Sequence, residues 1–465
     1  MKNKIIYAIG WVLLLIVSGC SDWLSVSPRT EKPTEQLFET QNGFRDALTG
    51  AYIEMMSDKS YGEYLTMSKI EYLVDFWDPE KGSGEEALTL HRYSDAQAVT
   101  MIDALYEQQY KVILAVNAIL EYVDLRQAIF DPGAYKAVKG ECLALRAMCH
   151  LDILRLFGPV PAEATSVPIL PYVETVTKEL HRHVNFDGYK ARLIADLENA
   201  EGLLKQHLEK QSEIEEDYFK YRTIRMNYYA VKALKARVYL WADNKAEAYR
   251  EAKAVTAVQE QWFPWTERRE IMDNTRNPDR IFSSELLFAA YYNAREEIFT
   301  NYFSPTLEPA QVYSPKKHID DLFTWDLLDW RNRPIWLEGT TRDYRCFHKY
   351  EDVSSTEVWT KLIPLIRMTE MYYIIAETAT DETEALDALN TVLFNRGVKE
   401  LEDKTQLAGM LRDEYRREFF GEGQLFFYYK RLNVKVLHSY SENADLDMDA
   451  AKYVVPLPLS ETDFR

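Results

Sequence analysis

Residues 228–258 read YYAVKALKARVYLWADNKAEAYREAKAVTAV. In the first half, Ala230, Ala233 and Ala236 stand beside Val231, Leu234, Val238 and Trp241. Spacings of three and four residues put such a set on one face of a helix. Asp243-Asn244 supplies a turn, and Ala246, Tyr249, Ala252 and Val255 resume the pattern on a second helix. Small residues at one-turn intervals let two helix backbones approach closely, the packing signature of a tetratricopeptide hairpin of about 34 residues. The segment predicts a helical-repeat frame.

The flanking sequence extends that frame. Helices are predicted near 34–57, 98–124, 134–157 and 186–208, with further hairpins at 364–396 and 405–432. In 134–157 the residues Val138, Cys142, Leu145, Cys149, Ile153 and Leu156 form one apolar stripe, and Gly158-Pro159 with Pro161 ends it. No strict period repeats along the chain. Between about 260 and 362 prolines break the helices and Trp, Tyr and Phe cluster. Glu285–Ala290 reads there as a short buried strand or equally as a helical turn. Tyr61–Tyr93 is a second loop-rich aromatic stretch. The fold expected is mainly α: a tetratricopeptide-like helical-hairpin scaffold, an irregular α-solenoid. Its frame would cover about 34–260 and 363–432, with a loop-rich ligand subdomain at about 261–362.

Among 465 residues, 74 Asp and Glu outnumber 55 Lys and Arg, a net charge of −19 that phosphate backbones would repel. No nucleic-acid partner is expected on that ground. Ten Trp, 31 Tyr and 20 Phe are more rings than a core alone calls for. Exposed Tyr, flat with a polar tip, suits sugars or peptides.

The N-terminus is read apart from the fold. Lys2 and Lys4 precede an apolar run, Ile5–Val17, too short for a comfortable membrane span and right for a signal-peptide core. The run ends in Val17-Ser18-Gly19-Cys20, an aliphatic residue and two small ones before Cys, the lipobox of bacterial lipoproteins. Residues 1–19 are thus expected to be removed and Cys20 acylated, leaving a lipid-tethered body, 20–465. An ordinary secretory signal with a chance Cys is the plainer alternative. Cys142 and Cys149, seven apart on one helix, would lie about 10 Å apart, too far to bridge, and read as core hydrophobes.

Catalytic motifs are sparse. GxSxG, HExxH, GxGxxG, the Walker loop and CxxC are all missing. His181-Arg182-His183 offers two imidazoles without a third ligand, so no metal site is assigned. Asp445–Asp449 imitates the start of an EF-hand loop but has Ala450 and Pro456 where Gly and Glu are required, and reads as an exposed acidic loop. Asp75 and Asp78, flanking Phe76-Trp77, could be a glycosidase pair. More simply, one Asp holds the loop while the rings face solvent.

Several local motifs, taken in order, resemble the SusD/RagB family of outer-membrane nutrient-binding lipoproteins. They begin with Cys20-Ser21-Asp22-Trp23-Leu24 and Asp46-Ala47-Leu48-Thr49-Gly50-Ala51-Tyr52, then Tyr110 through Asn117-Ala118-Ile119-Leu120-Glu121. The most specific runs from Gly140-Glu141-Cys142-Leu143-Ala144-Leu145-Arg146-Ala147 to Leu156-Phe157-Gly158-Pro159-Val160-Pro161. Ala233–Leu240 and Ile366–Tyr372 with Ala376-Glu377 and Leu389-Asn390 follow. Arg416-Arg417-Glu418-Phe419-Phe420-Gly421-Glu422-Gly423 and Val454–Pro458 close the series. The family's Asp before the late Lys-Arg is absent here, where the chain reads Phe427-Tyr428-Tyr429-Lys430-Arg431. Arg146, Arg367, Glu370, Arg417 and Glu418 sit in apolar-patterned helices, where charges persist when paired between packed elements. They read as frame contacts.

The resemblance implies a non-enzymatic, lipid-anchored protein of the outer membrane, facing the cell exterior. It would capture a glycan, or a peptide, and pass it to a SusC-like TonB-dependent transporter, with no cofactor. Family members read ligand with loops after the first helices and from the mid-chain insert. The expected contacts are therefore Trp77, Arg92, Tyr93, Tyr292, Tyr302 and Trp336. Two other readings stand beside it: a helical glycoside hydrolase, and a ligand-free scaffold of the transporter complex.

Overall fold

The computed structural model describes residues 34–131, 133–208, 222–307, 312–323, 328–338 and 344–463. The expected signal peptide, 1–19, and Cys20 lie outside the described residues. The frame comprises α1 (Gln41–Met55), α2 (Ala96–Val123), α3 (Ala134–Phe157), α4 (Phe186–Leu208), α5 (Tyr228–Trp241) and α6 (Lys245–Thr256). It resumes with α8 (Met368–Thr378), α9 (Glu382–Phe394), α10 (Leu407–Glu418) and α11 (Leu425–Leu432), after α7 (Lys316–Phe323) in the insert.

Local chemistry starts and stops these helices. Asn227 caps α5, its side chain accepting from the Tyr229 and Ala230 amides at 3.0 Å each. Asp243, at φ 55°, turns the chain, and Asn244 caps α6. The alanines of α5 are fully buried against α4 and α6, as the first half of the 228–258 pattern requires, whereas α6 buries Ala248, Glu251, Ala252 and Val255 and leaves Ala246 exposed and Tyr249 half-buried. α3 is buried on nearly every side because it packs between α2 and α4. Gly140 makes that closeness possible: a Cβ there would lie 2.7 Å from Leu204 Cγ on α4. Cys142 and Cys149 are unbridged and buried, the core hydrophobes their spacing predicts.

The charges in apolar helices are paired. Arg146 forks onto Asp196 (2.6 and 2.7 Å), and Arg237 onto Glu370 (2.6 and 2.7 Å). Glu418 gathers Arg367 (2.6 Å), Arg396 (2.7 Å) and Arg331 (3.0 Å). Arg417 donates to the Leu322 carbonyl at 2.8 Å and joins Glu414 at 3.1 Å. Three guanidinium groups hold the buried Glu418 carboxyl well below the usual carboxylate range, against the pull of burial. The late Lys-Arg needs no Asp: Lys430 donates to the Leu156 and Gly158 carbonyls, and Arg431 forks onto Glu377.

Small antiparallel sheets complete the fold. β1 (Pro168–Pro171) pairs with β2 (His183–Asn185), and β3 (Leu286–Tyr291) with β7 (Leu362–Arg367). β6 (Tyr344–Phe347) lies between β4 (Ser314–Pro315) and β5 (Trp336–Glu338), and β8 (Val436–Ser439) pairs with β9 (Ala444–Asp447). Glu285–Ala290 is thus mostly strand. Leu286–Ala290 are buried on both faces, which periodicity cannot tell from a helical turn. The predicted hairpin at 364–396 is formed by α8 and α9, but its first residues belong to β7, whose pairing to β3 ties the insert to the frame. The acidic run 445–449 is not a free loop. Its first half is β9, and Asp449 caps the short helix Ala450–Tyr453 by accepting from the Lys452 amide. His183, rather than standing beside His181 as a ligand, meets Glu461 at 2.8 Å. Among the described residues no helix is long and apolar enough to cross a membrane.

Candidate ligand-binding site

Three of the six expected contact residues are core. Trp77 is 0% exposed, Trp336 2% and Tyr93 7%. The Trp77 indole N–H donates to the Met67 carbonyl at 2.9 Å, so its polar edge is satisfied inside the protein. Its ring meets Phe420 (5.1 Å), Phe347 (5.3 Å) and Trp336 (6.2 Å), and Trp336 meets Phe420 at 4.7 Å. Phe76 stacks on Phe420 at 3.9 Å. These rings cement the loop after α1, the insert and the turn between α10 and α11. The Tyr93 hydroxyl is spent on the Lys452 carbonyl at 2.6 Å. Asp75 does hold a loop, accepting from Tyr440 and Ser441, but the rings beside it do not face solvent. Ring-rich loops pack inward when partners from three segments are within reach, a circumstance one segment's sequence does not carry. Arg92 is exposed and pairs with Glu86 at 2.9 Å.

Tyr292 and Tyr302 are half-buried and converge on the loop after α1. The Tyr302 hydroxyl bonds Glu63, which also accepts from Ser68 Oγ at 2.8 Å. Tyr292 lies within the fields of Asp58, Glu63 and Glu297, which add to burial in raising its phenol. Tyr64 stands in the same group, with the Lys69 ammonium 5.4 Å from its ring centre. The Val312 amide donates to the Tyr302 carbonyl at 2.9 Å, so the next residue, Tyr313, continues the rim. Tyr313 stacks on Tyr344 at 4.4 Å and 25°, bonds the Asp78 side chain, and is pushed up to about 12 by burial and that carboxylate. Asp78 is itself bonded through its amide to the Tyr313 carbonyl at 2.8 Å. Arg345 reaches Asn332 at 2.7 Å and Asp320 at 3.0 Å beside this pair.

The result is a candidate rim of two adjoining groups of half-buried tyrosines, Tyr64, Tyr292 and Tyr302 with Asp58 and the buried Glu63, and Tyr313 and Tyr344 with Asp78, joined by the Val312–Tyr302 backbone bond. Tyr292 also borders a groove of about 670 Å³ between α1, Ile224-Arg225 and Tyr291–Ala294, with Ile53 and Tyr291 exposed at its edge. Flat faces for C–H groups, with phenols and carboxylates for hydroxyls, equip the rim for stacking and hydrogen bonding. Tyr64, Tyr313, Tyr344 and the carboxylates were not anticipated as contacts. Tyr313 and Tyr344 meet only through the β4–β6 register, which places Ser314 opposite Arg345.

A tetratricopeptide-like frame carrying half-buried tyrosines on its loops defines a helical-repeat architecture. A sequence model described as starch-binding, associating with outer membrane, matches residues 22–240, and that of the SusD family matches 330–456. The chain belongs to the SusD/RagB family. A SusD superfamily protein from Bacteroides thetaiotaomicron superposes with a TM-score of 0.75 at 20% identity, covering 91% of this chain and 98% of that one. A SusD-like carbohydrate binding protein from Bacteroides vulgatus gives 0.70 at 16% identity, covering 91% and 96%. SusD-like protein P2 of Formosa agariphila is 26% identical over 191 residues, 41% of this chain and 36% of the relative. The chain thus aligns with about a third of the length of the curated relatives it matches.

Proposed function

We propose that this chain is a non-catalytic, lipid-anchored outer-membrane protein that binds a glycan and passes it to a SusC-like TonB-dependent transporter. The observation that carries the ligand assignment is the tyrosine rim. Five half-buried rings, two of them hydrogen-bonded to carboxylates, present what a pyranose needs: apolar faces with polar edges. The family model's starch-binding description and the carbohydrate-binding neighbour support a saccharide over a peptide. The lipobox at Cys20 supports the anchor, and the family description supports the outer membrane. Tyr292 and Tyr302 remain contact residues in this reading, joined by Tyr64, Tyr313 and Tyr344; Arg92 is a peripheral test position. Screening the full chain in detergent against oligosaccharide and peptide arrays tests the reading. Saccharide binding without turnover supports it; cleavage products would make the protein an enzyme, and peptide binding alone would change the ligand class.

A further inference from the structure

A separate pocket of about 280 Å³ lies between α7, α10, α11 and the β8–β9 hairpin. Its polar lining is led by Arg412, Arg416, His318, His438 and Tyr440, with Asp445 as the carboxylate. In a chain with 74 acids and 55 bases, two guanidinium groups facing one carboxylate, with two imidazoles beside them, are a local inversion of charge. That carboxylate is already engaged, Asp445 Oδ1 meeting His438 Nδ1 at 2.9 Å. Arg416 has only a loose pair with Asp413 at 3.6 Å, and bonds the Tyr440 hydroxyl. Arg412, one turn away on α10, is exposed and makes no ion pair among the described residues.

The aromatic wall is fixed. His318 is buried, meets Ser314 Oγ at 3.1 Å through Nδ1, and stacks on Tyr440 at 4.3 Å and 10°. His438 meets the same ring edge-on at 4.8 Å. Burial holds His318 well below the ordinary imidazole range, and the Arg416 guanidinium adds to it. Arg412 and Arg416 thus line the cavity around the His318 ring, with Asp445 as its one lining carboxylate. The polar cavity at Trp265 and Trp359 is the reverse: Glu267, Glu270, Asp279 and Glu357 surround Arg269, a lining that repels anions.

We infer that the pocket between α10 and the β8–β9 hairpin binds an oxyanion, the carboxylate or sulfate ester of an acidic saccharide. Guanidinium forks pair with two oxygens at once, which an ammonium does not match. The Tyr440 ring supplies a flat face for the sugar that carries the group. The saccharide part rests on the glycan reading above; the anion preference does not. The test is calorimetric titration of the full chain in detergent with glucuronic acid, glucose 6-sulfate, glucose and inorganic sulfate. Both acidic sugars should bind at least about tenfold more tightly than glucose, or about 1.4 kcal/mol. Arg412→Ala should cut that advantage at least about fivefold with an unchanged thermal midpoint, and Arg412→Lys should restore only part of it. Equal binding of acidic and neutral sugars, or an advantage that survives Arg412→Ala, overturns the inference. Inorganic sulfate binding as tightly as glucose 6-sulfate overturns its saccharide part. Inorganic sulfate binding that Arg412→Ala weakens, in a protein that binds no oligosaccharide, would sustain the anion preference while the glycan reading fails, so the two failures give different results.

Discussion

The Gly423 amide donates to Glu71 Oε1 at 2.7 Å, across 352 residues of sequence. Glu71 lies in the short helix Lys69–Tyr72 of the segment after α1, and Gly423 in the turn between α10 and α11, so this bond clips that segment to the end of the frame. Gly423 is required by geometry twice: its φ is +70°, and a Cβ there would lie 2.0 Å from the Leu65 carbonyl oxygen.

Gly423→Ala should therefore lower stability by at least about 2 kcal/mol, from backbone strain and the displaced loop. Gly50, mid-helix in α1 with nothing within 4 Å of an added Cβ, is the control. Gly50→Ala should be neutral or stabilising by up to about 1 kcal/mol. Urea midpoints of the two variants decide it; similar values for both would contradict the clip.

Glu71 also predicts a pH dependence. Burial raises its carboxyl to about 8, although the Gly423 amide and the Lys349 charge oppose the rise, and its Oε2 is buried without a hydrogen bond. The ordinary value is 4.5, so between that and about 8 the folded state binds more protons than the unfolded. Stability from this group is present at low pH and is lost as pH rises through that window. Urea midpoints at about pH 5 and about pH 8 should fall less in Glu71→Gln than in the wild type. Equal falls would show that Glu71 titrates normally.

The aromatic cluster should behave as core. Trp77→Ala and Trp336→Ala are each expected to cost about 3–5 kcal/mol of stability through transfer and cavity terms. Any loss of ligand binding should track the unfolded fraction. A folded Trp77→Ala protein with a wild-type midpoint and no binding would restore the indole to the site.

Cys20→Ala should release the protein from the outer membrane without unfolding it, since residues 20–33 precede the first described helix. Fractionation after a high-salt wash checks this. Retention with the membrane would mean attachment by something other than acyl chains.

The frame was legible because its signals are local. Alanine spacing at 230–236, the stripe in 134–157 and the Gly158-Pro159 stop each fix an element from a few neighbouring residues, and α3 and α4 fall on their predicted bounds. Paired charges were legible as a class, because Arg or Glu within an apolar helix requires a partner; which partner, as with Arg146 and Asp196, was not. The site was legible only in part. Tyr292 and Tyr302, chosen for loop character, stand half-buried at the candidate rim. Trp77 and Trp336 were misplaced because ring-rich loops look alike whether they stack on ligand or on each other. What separates them is the meeting of residues near 77, 336, 347 and 420, a long-range fact. Glu63 and Tyr64 lacked any local mark, and Tyr313 and Tyr344 depend on strand register.

The most direct test of the central claim is calorimetry of Tyr302→Ala and Tyr313→Ala against the tightest saccharide from the array, with thermal midpoints measured in parallel. Each variant should lose about 1–3 kcal/mol of binding, a 5- to 150-fold weakening, with midpoints little changed. Wild-type affinity in both variants would contradict the assignment of the tyrosine rim as the ligand site.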